Sequence, residues 1–368
     1  MKLLHLVGSQ TSEYYYGVSI MYAPGCIGAL PTVDHTILLA RLDGSWSILK
    51  SLEEDTVEMA ERLSLPEALK RLEDNKPDVM QPHMFCYQGM TVMRYLADML
   101  DIPMIGSPGH VMALTTNKWQ SRAVVSSVGV PVPKAQLLKE GDKVNMEPPF
   151  ILKPCREDNS MGITLVQDVK ELDEALKTAF QFDDQILCEQ FIPLGRELRV
   201  GVVLGEDGDL EMLPCMEYFL GHKKLPIRTS ADKISTDGGK LDFAPVEREC
   251  PAQIDKTLRG KLYDLAVKSH HALGCEHYSL YDVRVDPDGS PYFIEASPYC
   301  SFSPKSAIVT MSRGNPNYND TDLFFRIAKK AIKDYQPTRP ASLTKGTSSK
   351  QQLGMRVRST LKNTTVSQ

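Results

Sequence analysis

Two carboxylates on neighbouring strands are the strongest chemical signal in this sequence. In the stretch 277–301, HYSLYDVRVDPDGSPYFIEASPYCS, Leu280, Asp282 and Arg284 alternate with Tyr281, Val283 and Val285, the period of a β-strand. Asp286-Pro287-Asp288-Gly289 has turn composition, and Tyr292-Phe293-Ile294 then runs apolar into Glu295-Ala296-Ser297. The turn makes the strands antiparallel neighbours, so Asp282 and Glu295 can lie across from each other. Facing carboxylates in an apolar hairpin repel unless they look into solvent or a cation sits between them. Mg²⁺ takes such oxygens at about 2.1 Å and shares them with nucleotide phosphates.

Other residues fit that chemistry. Lys153 ends the apolar run FILKP just before the polar loop CREDNSMG (155–162), a position that calls for an anion such as a phosphate. Lys118 opens a helix. Glu189 ends an apolar strand and Glu197 starts the next, where each is either a surface residue or an acceptor for adenine or ribose hydroxyls. There is neither a G-x-x-x-x-G-K-[ST] loop nor a G-x-G-x-x-G turn, so a P-loop and a dinucleotide fold are not supported. Cys275 with His270, His271 and His277 lacks the second ligand pair a structural zinc needs. Cys300 lies in an apolar-aromatic YCSF and reads as a pocket wall, not a nucleophile.

The elements that must position these groups alternate. Strands are expected at 3–8, 35–42, 78–81 and 102–106, with helices at 64–73 (Ser64 and Glu67 forming a capping box) and 88–100. This predicts an open parallel sheet in a first domain, 1–106. A helix over 117–128, strands at 150–154, 163–166, 185–189, 197–204 and 210–218, and a helix over 168–182 make a second, 107–220. The third, 221–335, holds a polar lid loop (221–246), a helix over 255–273, the opening hairpin and a closing helix over 321–335. The last 33 residues hold six Lys/Arg, no Asp/Glu and eleven Ser/Thr, and read as a disordered basic tail, 336–368. A net charge of −5 argues against nucleic acid as partner, and no apolar run is long enough for a membrane span. Eight scattered Cys without a C-x-x-C fit a reducing cytoplasm.

FILKP with CREDNSMG, ILCEQF with Glu197, FAP at 243–245 and LGC…YDVRVDPDGSPYFIEAS together resemble the ATP-grasp carboxylate–amine ligases, within them the D-alanine–D-alanine ligase group. The likeness covers residues 1–335. It implies an α/β chain (α+β in the ATP-binding half) whose nucleotide is clamped between two sheets, ATP and one or two Mg²⁺ as cofactors, and an acyl phosphate attacked by an amine. It also implies that Lys118 and Lys153 hold phosphates, that Glu157 and Ser160 belong to the loop covering them, and that Glu189 and Glu197 meet adenine and ribose. Lys233 would reach the transferred phosphoryl group, and Asp282, Glu295 and Ser297 would be metal ligands. Glu13 and His83 fall where the group recognises its first amino acid, and Lys305 and Ser306 where the attacking one binds. Homodimers joined through the first domain are a further implication.

The chain departs from the group at Ser297, where Asn is usual, at Asp158-Asn159, usually Gly-Ser, and at Leu280, usually Arg, for which Arg284 would substitute. HLVGS, PHMFCYQGMT, PIRTSADK, CEHYSLYDVRVDP and YCSFSPKSAI are similar to one branch, the ligases that join mycosporine-glycine to an amino acid such as serine or threonine. That branch phosphorylates the ring-ketone oxygen and forms an imine. The alternatives are a D-alanine–D-alanine or related dipeptide ligase, and an ATP-binding regulatory protein without catalysis. Asp282→Asn or Glu295→Gln is expected to abolish turnover with the fold intact.

Overall fold

The computed structural model describes residues 1–158, 160–220, 226–237, 240–243, 247–316, 318–319 and 321–337. Residues 1–335 form one compact unit and 336–368 a second. The expected tail falls, beyond residue 337, outside the described residues.

β1 (Lys2–Gly8), β2 (Asp34–Ala40), β3 (Trp46–Leu49) and β4 (Val79–Pro82) form a sheet in the order β3-β2-β1-β4. β1 is apolar and buried on both faces, as a central parallel strand must be. β2 and β4 run parallel to it, but β3, missed on sequence, is antiparallel to β2, so the sheet is mixed. Gly8 ends β1 at φ +99°, where a Cβ would lie 2.2 Å from the carbonyl oxygen of Ala40, so only glycine lets the chain leave the sheet there. The expected strand at 102–106 reduces to one bridge, Met80 to Met104. Pro103 has no N–H to donate and Gly106 turns at φ +94°, so no ladder extends. The expected helix over 88–100 is broken into Tyr87–Met90, a 3₁₀ turn at Val92–Tyr95 and Leu96–Leu100.

β5 (Ala135–Leu138), β6 (Phe150–Pro154), β7 (Thr164–Val166) and β8 (Ile186–Gln190) make an antiparallel sheet in the order β5-β8-β6-β7. Helix Leu172–Phe180 covers it, packing Ala175 and Ala179 against Phe150, Leu152 and Ile186. The expected helix over 168–182 begins with a separate 3₁₀ turn, Val169–Glu171, capped by Asp168.

The third sheet holds β9 (Arg196–Leu204), β10 (Leu210–Met212), β11 (Met216–Tyr218), β14 (Arg248–Glu249), β15 (Tyr278–Val285) and β16 (Pro291–Ser297). Its order is β14-β11-β9-β15-β16, with β10 on β9. The single strand expected at 210–218 splits into β10 and β11 because Pro214 cannot donate to a ladder. Between β11 and β14, β12 (Ile234–Asp237) and β13 (Lys240–Phe243) form a hairpin. The rest of the expected lid is described only in part; Gly238-Gly239 and Ala244-Pro245 of FAP lie outside the described residues.

β15 is buried along its whole length. Tyr281 and Val283 pack with Leu262, Leu265 and Ala266 of helix Lys256–Leu273. Tyr278 and Leu280, on the other face, pack with Leu3, Val79 and Ile308. Each such side chain contributes roughly 1.5–3 kcal/mol by leaving water. Hence Asp282 and Arg284, alternating with Tyr281 and Val283, are turned away from the helix toward the space between the sheets.

Candidate active site

Asp282 pairs directly with Glu295 across β15 and β16, the register read from the hairpin. A bulge follows: Asp282 faces Glu295, but Val283 faces Phe293, leaving Ile294 as the extra residue. Consequently Ile294 and Glu295, neighbours in sequence, both line one cavity. No local pattern in YFIEAS announces this.

That cavity lies between the second and third sheets. Lys153 from β6 and Glu189 from β8 line one wall; Glu197 from β9, Asp282, Arg284 and Glu295 line the other. Ser160, Ile227, Arg228 and Lys233 also line it. Lys153 Nζ donates to Glu189 Oε2 at 2.5 Å, both side chains buried. Arg284 Nε donates to Glu197 Oε2 at 2.6 Å, and its other nitrogens reach the carbonyls of Ile192 and Pro226. Arg284 is therefore committed to Glu197. The guanidinium groups at Asp282 are Arg199 and Arg228, which the sequence reading missed. Arg199 faces Asp282 across β9 and β15 and donates to both its oxygens, at 2.7 and 2.9 Å. Its spacing from Glu197, i to i+2 on a strand, was the available signal. Burial raises the Asp282 carboxyl, but Arg199 and then Arg228 pull it further the other way, leaving it well below the usual carboxylate range.

Lys118 Nζ donates to the carbonyl of Glu157 and lies 3.5 Å from Glu295 Oε1. The loop before β7 is thus tied to the carboxylate hairpin. Tyr15 OH donates to Glu157 Oε2 at 3.2 Å; burial raises the Glu157 carboxyl against the opposing pull of Tyr15 and Lys118. Ser160 sits at φ +59°. Gly162 sits at φ +69°, where a Cβ would lie 2.7 Å from Phe182 and 2.8 Å from Pro154.

A second cavity adjoins the first. Tyr22, Phe85, Tyr218, Leu280 and Tyr299 give it an apolar-aromatic wall; Arg199, Arg228, Lys233, Arg248 and Lys305 give it positive charge; Asp158 and Asp232 are its acids. Ser297, Cys300 and Ser306 also line it. Burial lifts the Cys300 thiol to about 11, so it is protonated at neutral pH. Arg228 and Lys233 line both cavities.

Two expected substrate residues are placed elsewhere. Glu13 is exposed at the start of helix Glu13–Ala29 and lines neither cavity; Val18 and Tyr22, one turn apart, do, and Glu13 is five residues from Val18, about 140° round the helix. His83 is buried and also lines neither. Its Nε2 lies 2.9 Å from His5 Nδ1, His5 Nε2 lies 2.8 Å from His35 Nδ1, and His35 Nε2 lies 2.9 Å from the carbonyl of Leu30. His5, Cys26 and His83 bring ligand atoms within 4.8 Å of one another. Both nitrogens of His5 are already bonded to neighbouring rings, so this is a hydrogen-bonded chain and not an open set of metal ligands. His83 Nδ1 has no partner among the described residues.

Comparison with known proteins places this geometry. The model for the D-ala D-ala ligase C-terminus matches residues 124–315, more than half of the chain. The chain belongs to the D-alanine–D-alanine ligase family. A D-alanine–D-alanine ligase of Citrifermentans bemidjiense is 30% identical over 205 residues, 55% of this chain and 62% of that ligase, so the match spans less than two thirds of the relative's length. The VanG D-Ala:D-Ser ligase of Enterococcus faecalis superposes with a TM-score of 0.71 at 21% identity, over 91% of this chain and 99% of its own. The Bacillus anthracis D-alanine–D-alanine ligase complexed with ATP superposes with a TM-score of 0.67 at 18% identity, over 90% and 98%. The family's fold, ATP-grasp, is the fold of this chain. Among the described residues no helix is long and apolar enough to cross a membrane.

Proposed function

We propose that this chain is an ATP-dependent ligase that activates an oxygen of one substrate and joins the substrate to an amine, with ADP and phosphate as products. One observation carries the reading: the cavity between the sheets and the aromatic, cationic cavity share Arg228 and Lys233, over Asp282. A terminal phosphate in the first and an acceptor in the second would meet at that wall. The solved relative that holds ATP supports the nucleotide assignment.

The donor set fits a hard divalent cation. A carboxylate has about four lone-pair sites, and Arg199 uses two of those on Asp282, leaving room for a metal there and on Glu295. Asp282 and Glu295, with Ser297 as a weaker hydroxyl ligand, would hold Mg²⁺. It would supply charge neutralisation at the phosphates.

The chain's own residues do the remainder by binding and orientation, which is what phosphoryl transfer demands. The family resemblance assigns Lys118 and Lys153 to phosphates; Lys153 lines the cavity between the sheets, and Lys118 lies beside Glu295. Lys153 is also the buried partner of Glu189, which can accept an adenine amino hydrogen. Arg284 holds Glu197 with acceptor capacity left for ribose. Lys233 and Arg228 face the position where negative charge develops. Covalent catalysis by Cys300 is disfavoured by its protonated thiol.

The comparisons favour amino-acid substrates of the D-alanine type. A second reading, mycosporine-glycine with serine or threonine, is favoured by the acceptor wall. There the rings of Tyr22 and Phe85 lie 4.8 Å apart, tilted by 39°, and those of Phe85 and Tyr299 6.0 Å apart and edge-to-face, an aromatic wall that can pack against a ring, and Leu280 adds apolar area. Incubation with ATP and Mg²⁺, plus D-alanine alone or mycosporine-glycine and serine, separates them. Phosphate with D-alanine supports the first. Phosphate and an ultraviolet shift only with the second pair supports the other. Nucleotide binding without phosphate from any acceptor points to a regulatory protein instead.

A further inference from the structure

Arg228 has a geometry that neither the pairing of the sheet nor the family resemblance explains. Its side chain is 9% exposed. Its guanidinium lies 3.8 Å over the ring of Tyr218, which fixes its plane. It lies 3.6 Å from Asp282, beyond hydrogen-bond length, where Arg199 already takes both Asp282 oxygens at shorter range. Its Nε–H is buried with no hydrogen-bond partner among the described residues. A buried donor left bare costs about 1–3 kcal/mol. In the aromatic cavity that Arg228 lines, Arg199, Arg228, Lys233, Arg248 and Lys305 outnumber the two acids, Asp158 and Asp232.

We propose that Arg228 is an oxyanion-binding residue at the junction of the two cavities. Its Nε–H and terminal nitrogen form a fork that takes two oxygens of a phosphate or a carboxylate, as guanidinium groups do. The anion has two sources: the terminal phosphate of a nucleotide entering from between the sheets, or the carboxylate of a substrate in the aromatic cavity. The choice of source rests on the ligase reading; the anion site itself does not.

The test is calorimetric binding to wild type, Arg228→Met and Arg228→Lys, with thermal melts to establish that each variant is folded. The probes are inorganic pyrophosphate, D-alanine, Mg·ADP and a magnesium complex of a non-hydrolysable ATP analogue. Arg228→Met should weaken pyrophosphate by roughly ten- to hundredfold, the range for losing a charge-assisted hydrogen bond. Arg228→Lys, which keeps charge but not the fork, should fall between. A larger loss for the ATP analogue than for ADP identifies the terminal phosphate as the source; a loss for D-alanine with both nucleotides unchanged identifies the carboxylate. A wild type that binds pyrophosphate through Arg228 but binds neither nucleotide would keep the anion site and sink the ATP reading. Failure of wild type to bind pyrophosphate and D-alanine, or equal affinities in wild type and Arg228→Met, would overturn the proposal.

Discussion

Asp282→Asn tests the site and the fold together. Read from sequence, this change should stop turnover and leave the fold alone. The structure revises that. The Asp282 carboxylate is the counter-charge of Arg199, bonded at 2.7 and 2.9 Å with side-chain exposures of 10% and 15%. Breaking a buried pair by removing one partner costs about 3–5 kcal/mol. Asparagine keeps one acceptor oxygen for Arg199, and the cavity edge admits some water, so the lower end applies, about 3 kcal/mol. Urea unfolding of the nucleotide-free protein should show the midpoint fall with an unchanged slope. The double variant Asp282→Asn/Arg199→Met should lose less than the sum of the singles, because the stranded charge is gone. An Asp282→Asn midpoint equal to wild type would refute the reading of Asp282 as the buried counter-charge of Arg199. Activity lost in this variant is evidence on metal binding only after the stability change is known.

The remaining expectations are independent of it. Burial holds His83 at about 3 and, with its neighbouring rings, keeps His5 well below 6.5. Both are neutral when folded and bind protons when unfolded, so their stability is fully present above pH ~6.5 and falls with acid at about 1.4 kcal/mol per pH unit for each group. Urea midpoints at falling pH should show this slope, and His83→Phe should flatten it; a wild type equally stable at pH 7 and 5 would contradict the buried chain. Mg²⁺ titrated alone should give no saturable heat, because Lys118, Arg199, Arg228 and Lys233 outnumber Asp282 and Glu295; tight binding without nucleotide would contradict that charge balance. Gly162→Ala should weaken nucleotide binding through loop strain while changing thermal stability by only about 1 kcal/mol, and unchanged affinity would free the loop of that role.

What could be read in the sequence was local. The alternation around Asp282, the turn at 286–289 and the approach of Glu295 all follow from a period of two and a few turn residues. The capping box at Ser64 and Glu67 is likewise local, and it is present. What could not be read depends on partners far along the chain. Arg199 meets Asp282 only because β9 pairs with β15 in one register. Glu13 had the expected residue type, but helix phase turns it outward. The strand expected at 102–106 had apolar composition, yet Pro103 and Gly106 deny it a ladder. His5 and His35 sit on β1 and β2 and His83 just past the end of β4, and no spacing in the sequence links them.

That histidine chain has a direction. The Leu30 carbonyl can only accept, so with all rings neutral His35 carries its proton on Nε2 and offers Nδ1 to His5. His5 then holds its proton on Nε2 and accepts at Nδ1 from His83 Nε2–H. Every proton points the same way, and the one lone pair left over is His83 Nδ1. A backbone oxygen at the far end of the row thus dictates, through three rings, where the first added proton must land. Acid enters this core at a single address.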